Sequence, residues 1–331
     1  MLHSDSQRVT LSFYKYHPIA DPGSFRDDLF RRFSVLGVLG RIYVANEGIN
    51  AQISVPAENF ETFREALAAF NFLANVRLNI AIEDNGKSFY LLKIKVRDKI
   101  VADGLNDGDI DLASGGEHID ARKFNELTKN ESTIVVDMRN HYESEVGHFE
   151  GALCPDVETF RESLEHVESM IKGSEEKDII MYCTGGIRCE KATAFFKTKG
   201  FEKLYQLDGG IIEYARQARE FGLPNKFIGK NFVFDERLGE RISEEVISRC
   251  HQCGAACDQH VNCHNDACHL LFIQCDACAE KYEHCCSTKC ATFERMPADE
   301  KASKKATTTF NGTKFGKGRY KANRNGEIDL T

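Results

Sequence analysis

Tyr182-Cys183-Thr184-Gly185-Gly186-Ile187-Arg188-Cys189-Glu190-Lys191-Ala192 joins a strand-forming run, Asp178–Tyr182, to a helical segment, Glu190–Lys199. The run is apolar almost throughout, as in a parallel strand covered on both faces. Cys183 therefore falls where an open α/β sheet has its ligand crevice. Gly185 and Gly186 let the loop curl so that backbone N–H groups face inward. The following helix aims the positive end of its dipole at the sulfur. Those amides, with Arg188, favour thiolate over thiol and suit an anion held beside it. The alternative is an inert, buried cysteine, and the Gly-Gly and Arg context argues against it.

Outward from this loop, His118 to about Ile228 alternates strands with helices. Strands are expected at Thr133–Asp137, Asp178–Tyr182 and Lys203–Leu207, and helices at Phe160–Ile171, Glu190–Lys199 and Ile211–Phe221. Such alternation means a parallel sheet with helices on both faces. Four residues separate Cys183 from Arg188. Cysteine-dependent phosphatases space the pair by five, and the shorter loop resembles that of rhodanese sulfurtransferases, which carry a persulfide on cysteine. Val135-Val136-Asp137-Met138-Arg139, Gly147-His148-Phe149-Glu150-Gly151-Ala152 and Leu207-Asp208-Gly209-Gly210-Ile211 are similar to three further rhodanese motifs, in the same order. The resemblance implies a rhodanese-like parallel α/β domain over 117–228. It also implies an anion loop of Thr184, Gly185, Gly186 and Ile187, joined by Asp137 and Arg139. Many rhodaneses have Ser or Thr where this chain has Cys189. That thiol either packs in the first turn of the helix or resolves a persulfide as a disulfide, and the tightness of the loop favours packing.

On the N-terminal side, Val9, Leu11 and Phe13 alternate with Thr10 and Ser12, the period of a half-buried strand. A helix at Phe25–Phe33, a hairpin of Arg41–Val44 and Ala51–Val55, a helix at Glu58–Phe70 and strands at Val76–Ile82 and Phe89–Val96 follow. This order predicts a ferredoxin-like α+β sandwich with an extra strand over 1–100. Residues 101–116 carry four Asp, four Gly and no basic residue, and read as an acidic, Gly-rich linker. No run approaches the roughly 20 apolar residues of a membrane helix, and the first residues lack the apolar core of a signal peptide, so a cytoplasmic location is expected.

Ten of the thirteen cysteines fall between Cys250 and Cys290, within a connector and Cys-rich module over 229–295. Local clustering of this kind points to metal rather than disulfides. Cys250-x2-Cys253 and Cys275-x2-Cys278 have the spacing of two zinc knuckles sharing one ion. Ten thiols exceed one tetrahedral site, so Cys263, Cys268, Cys286 and Cys290 form a second set, with His264 and His269 as substitutes. One or two zinc ions are expected, with an iron–sulfur cluster the competing metal. Formal net charge is −8, yet residues 301–326 hold eight Lys or Arg and no acid, leaving −16 on the rest. In this basic tail, 296–331, Lys314, Lys317, Arg319, Lys321 and Arg324 interleave with Phe310, Phe315 and Tyr320. Basic groups meet phosphates and aromatic faces stack on unpaired bases, so the tail is expected to contact RNA; a solvated, disordered end is the alternative.

The arrangement from the sandwich to the Cys block, and CTGGIRCEKA with CHQCG to CCSTKC above all, resembles the rhodanese-domain tRNA uridine hydroxylases. The resemblance implies a bacterial enzyme that makes 5-hydroxyuridine at the tRNA wobble position, with tRNA as partner and molecular oxygen as co-substrate. It makes Cys183 the essential cysteine and puts Arg188 in its loop. No nucleotide-binding fingerprint or P-loop is present. His118 and Asp120 could belong to an iron facial triad, but Asp120 reads better as the cap of a helix Ala121–Leu127. A sulfurtransferase carrying a persulfide on Cys183, and a zinc-dependent RNA-binding protein with a redox-sensing loop, are the competing readings.

Overall fold

A computed structural model describes residues 8–84, 86–106, 108–305, 307–312 and 319–320. The chain forms two compact units, one of residues up to 144 with 148–227 and 231–243, the other of 145–147, 228–230 and 244 onward. The sandwich and the parallel sheet thus share one unit.

In that unit β1 (Arg8–Tyr16), α1 (Pro22–Val35), β2 (Leu39–Ala45), β3 (Gly48–Pro56), α2 (Phe60–Ala68), β4 (Asn79–Ile80) and β5 (Leu92–Val96) run in the expected order. The sheet order β4-β1-β3-β2-β5 is that of a ferredoxin-like fold with one added edge strand, β5, parallel to β2. One face is covered by the helices: Leu11, Phe13, Ile42, Val44, Ile53, Leu29, Phe33 and Phe63 form its core. The last two strands are shorter than their apolar runs, and α1 begins earlier because Asp21 accepts the Ser24 N–H and Pro22 occupies the first turn.

After the sandwich come β6 (Glu117–Ile119), α3 (Ala121–Leu127), β7 (Ile134–Asp137), α4 (His141–Ser144), β8 (Gly147–Phe149), α5 (Phe160–Ile171), β9 (Ile179–Tyr182), α6 (Ile187–Thr198), β10 (Leu204–Leu207) and α7 (Gly210–Phe221), and all of these strands but β8 build the second sheet. Strands β6, β10, β9 and β7 lie parallel in that order. Both faces are apolar, with Val136, Met181, Ala192 and Phe196 on one side and Phe124, Ile180, Ile211 and Tyr214 on the other. Asp120 caps α3 through the Lys123 N–H, as expected.

Residues 101–116 do not behave as a free linker. Val101 and Leu105 pack on the sheet core, and Asp103 is buried with bonds from Lys99 Nζ and Lys191 Nζ. Lys191, 2% exposed, also reaches Glu47 Oε2 at 2.7 Å, so a buried cation is paired from both sides. Part of the region read as a connector, β11 (Phe227–Asn231) onward to β12 (Glu240–Arg241), also joins this unit through residues 231–243, where Phe232 and Val233 are buried.

The second unit carries a hairpin of β13 (His260–Asn262) and β14 (Leu271–Ile273) and the helices α8 (Asp276–Lys281), α9 (Thr288–Glu294) and α10 (Ala298–Lys305). Its core is small: Leu270, Phe272 and Ala291 among the thiols of Cys263, Cys268, Cys285, Cys286 and Cys290.

Candidate active site

Cys183 directly follows β9, and its loop is held from three sides. Gly186 has φ +102°, and a Cβ there would lie 2.9 Å from the Tyr14 hydroxyl. The left-handed turn and the close ring both require glycine. Gly210, at φ +65°, lets α7 dock: a Cβ would stand 2.4 Å from the Cys183 carbonyl, and Ile211 and Ile212 donate to the Cys183 and Thr184 carbonyls. On the remaining side Asn79 Nδ2 donates to the Gly185 carbonyl at 3.4 Å. That bond leaves its Oδ1, buried on the same wall, without a partner.

The Gly186 N–H points at Cys183 Sγ, 3.1 Å away. Burial opposes charge on this sulfur, but a bond from the Cys189 thiol, the Arg188 charge and the amides of Arg188 and Gly186 outweigh it. The pKa falls to about 6. Burial and the bond to the Cys183 thiolate push the Cys189 thiol well above its ordinary value. Of the two readings of Cys189, packing fits its full burial, and it acts as a donor as well.

Helix α6 begins at Ile187, three residues before its expected start, because Gly186 takes the cap position. Arg188 therefore sits in the first turn rather than in an open loop. Its Nη atoms grip Glu143 Oε1 and Oε2 at 2.7 and 2.9 Å, with both residues buried. Arg188 is committed to that carboxylate instead of being open to a ligand anion, and it acts on Cys183 by charge. Asp137 and Arg139 do not line the cavity: Arg139 folds back on Asp137 at 2.6–3.1 Å under the Tyr182 hydroxyl, all fully buried. Short reach decides this, since two residues after a strand end the guanidinium meets its own carboxylate first.

Cys183, Thr184, Gly185, Ile187 and Arg188 form one wall of a cavity of about 380 Å³. The opposite wall is the face of the N-terminal sheet that its helices leave uncovered, with Ser12, Tyr14, Arg41, Tyr43, Asn50 and Gln52. Tyr14 donates to Glu190 Oε1 at 2.9 Å, and burial with that carboxylate keeps its hydroxyl protonated. His118 stands 3.4 Å from both Asp208 and Glu190, whose bonds raise it to about 10. It serves this charged cluster, and neither it nor Asp120 belongs to any group of metal-ligating side chains among the described residues.

The groups that do form are the two expected sets, Cys250, Cys253, Cys275 and Cys278, and Cys263, Cys268, Cys286 and Cys290. Within each, all four Sγ atoms lie within 4.8 Å of one another. Cys253–Cys275 measures 3.6 Å, and Cys268–Cys286 and Cys286–Cys290 each measure 3.7 Å. Sulfurs about 2.3 Å from a tetrahedral zinc are about 3.8 Å apart, whereas a disulfide brings them to about 2.05 Å. The donor sets therefore fit a metal ion. Turns deliver the ligands: Gly254 N–H closes on the Cys250 carbonyl, Cys275 leads into α8, and Ser287 caps α9 through Cys290 N–H. Amides of Cys275 and Cys286 point at Cys250 and Cys263 Sγ at 3.4 and 3.3 Å, as suits thiolates.

Of the tail residues, Lys314, Lys317, Lys321 and Arg324 lie outside the described residues, as does Phe315. Phe310 packs on Phe293, and Tyr320 stacks against Phe272 and His251. These two rings serve the Cys-rich unit instead of standing free for bases. Glu143, Tyr14 and Asn79 were not singled out in the sequence. The carboxylate two residues past the Asp-x-Arg-Asn-His turn carries no local signal, and alternation marks the polar face of β1 without saying what covers it.

Residues 8–100 match the family described as UPF0176 acylphosphatase like domain, 120–217 a rhodanese-like domain and 228–291 a rhodanase C-terminal region. A curated protein of Escherichia coli (strain SMS-3-5 / SECEC) named tRNA uridine(34) hydroxylase is 59% identical over 291 residues, covering 88% of this chain and 83% of that one. One of the same name from Escherichia fergusonii is 54% identical over 324 residues, covering 98% and 93%.

Proposed function

The chain belongs to the tRNA uridine(34) hydroxylase family, and from that premise we propose that it converts the wobble uridine of tRNA to 5-hydroxyuridine with Cys183 as the reactive group. The observation that carries the reading is a thiolate, with its pKa held near 6, in the wall of a cavity of about 380 Å³. That volume suits a single nucleoside turned out of an anticodon loop. A thiolate adds to C6 of uracil: the Sγ–C6 bond forms, the C5=C6 π pair moves through C4 onto O4, and C5 becomes nucleophilic. Arg188 with Glu143 holds the loop, and its amides steady the charge. C5 gives its electron pair to molecular oxygen and takes up a proton to become a hydroperoxide. Two thiols of an external reductant supply the two electrons and two protons that split its O–O bond, releasing water and a disulfide. Loss of the C5 proton and of Sγ from C6 then restores the ring with the hydroxyl on C5. The two four-cysteine sets would hold zinc in closed sites, which supplies folding free energy and no open coordination position. The protein acts in the cytoplasm, where tRNA is.

The test is the mass of the wobble nucleoside in cells grown under oxygen-18 gas. The wild-type gene should add one labelled oxygen, and Cys183→Ala should bring the yield down by about 10³-fold or more while the fold is kept. Sulfur-labelled thiosulfate placing label on Cys183, with no oxygen gained by uridine, would favour the sulfurtransferase reading that the loop's shape also allows.

A further inference from the structure

Strand β5 and the residue after it, whose N–H donates to the Val44 carbonyl, alternate Lys93, Lys95 and Arg97 with Ile94 and Val96. Ile94 turns into the helix-covered core, so the three cations lie on the other face. In the parallel register Arg41 is beside Lys93 and Tyr43 beside Lys95, which carries the basic face from the sheet edge inward. Arg41, Lys93 and Arg97 are exposed, and the Arg97 guanidinium lies 5.6 Å from the centre of the Tyr43 ring. None of the four cations makes an ion pair with a described residue. Their crowding is felt: Lys93 and Arg97, then burial and Arg41, hold the Lys95 ammonium below its ordinary value. In a chain of net charge −8, four uncompensated positive charges on one strip are a site for a polyanion. Lysines on an edge strand also guard against pairing with another sheet. That role does not account for Arg41, which is on the interior strand β2. Arg41 and Tyr43 line the cavity that contains Cys183, so the strip runs directly into its mouth.

We infer that Arg41, Lys93, Lys95 and Arg97 bind the phosphate backbone of the substrate tRNA beside the nucleotide that enters the cavity. The inference rests on the hydroxylase reading and assigns the main phosphate contact to the N-terminal sandwich rather than to the basic tail. Phosphate contacts position the nucleic acid without reading its sequence, so the strip sets register and leaves base choice to the cavity.

The experiment measures binding of the full chain to an unmodified tRNA transcript across a range of salt, with the triple variant Lys93→Ala/Lys95→Ala/Arg97→Ala and a deletion of residues 299–331 beside the wild type. Each lost phosphate contact flattens the plot of log affinity against log salt by about 0.7 to 0.9. The triple variant should lose about two units of slope, bind about 10- to 100-fold more weakly and raise KM with kcat retained. Its melting temperature should hold, because the three side chains support no core. The tail deletion should change the slope by less. A wild type that binds and hydroxylates tRNA, with a triple variant of equal slope and affinity, would overturn this inference and leave the hydroxylase reading standing. A slope lost mainly on tail deletion would also overturn it and return the contact to the tail. A wild type that neither binds nor modifies tRNA would remove the reading and this inference with it.

Discussion

The chain holds thiols in two different ways. Cys183 stands at a strand end, where backbone amides, a neighbouring thiol and a paired arginine stabilise one negative charge. The eight thiols of the two four-cysteine sets crowd against one another, at 3.6–3.7 Å for the closest pairs. A single thiolate stabilised by fixed dipoles keeps its lone pairs for a substrate. Four mutually crowded thiolates need a cation before they can share the space at all. The first arrangement is preorganised by a large parallel-sheet core, and the second replaces a core that the unit is too small to build.

The largest expected effect separates the two at once. Chelation should remove metal from the Cys-rich unit and unfold residues 250–290, because each structural zinc contributes on the order of 10 kcal/mol or more at neutral pH. Elemental analysis should find one to two equivalents before treatment, and limited proteolysis should then cut only this unit. Cys183 should keep its reactivity. Metal-free protein with unchanged protease resistance would erase the contrast.

Glu143→Gln comes next. It leaves the buried Arg188 charge without its carboxylate, a loss of about 3 to 5 kcal/mol read by chemical unfolding. The substitution touches no thiol of the Cys-rich unit, so its metal content should be unchanged. A loss under about 1 kcal/mol would show that the pair is wet, contrary to its burial.

Much of this contrast was legible in the residues. Cys183, its glycines and the four-residue gap to Arg188 are local, and local geometry follows from local sequence. The cysteine sets could also be read, because knuckle spacing leaves few ways to place four sulfurs round one ion. What escaped was long-range. Glu143 meets Arg188 across 45 positions, and nothing in either segment names the other. Thr10, Ser12 and Tyr14 show the polar phase of a strand, but periodicity separates faces without telling solvent from a cavity wall. Asp103 and Lys191, 88 positions apart, likewise turn an acidic, glycine-rich stretch into a docked one. Electrostatic partners of that range are set by topology, which the pattern implied only in outline.

The finest test concerns Cys189. Its bond is the leading contribution that lowers the Cys183 pKa, ahead of Arg188 and the loop amides, and it acts against the burial that raises it. Iodoacetamide labelling of the wild type should therefore turn on with a midpoint near pH 6. Cys189→Ala removes the donor and should move the midpoint up by about one to two pH units, since a hydrogen bond to a charged group contributes about 1.5–3 kcal/mol. Cys189→Ser keeps an O–H donor of similar size and should restore most of the shift. If Cys189 only fills space, alanine and serine should both leave the midpoint where it is. The sign also governs stability: a thiol whose folded pKa lies below its unfolded value stabilises the fold fully above the ordinary thiol range. That contribution declines as pH falls and is gone below about 6. The wild type should thus lose stability relative to Cys183→Ala on going from pH 9 to pH 6, and the loss should shrink in Cys189→Ala. Crowded thiols bound to zinc would show no such graded change over that window, so a matching decline in the Cys-rich unit would mean that its sulfurs, too, are held one at a time.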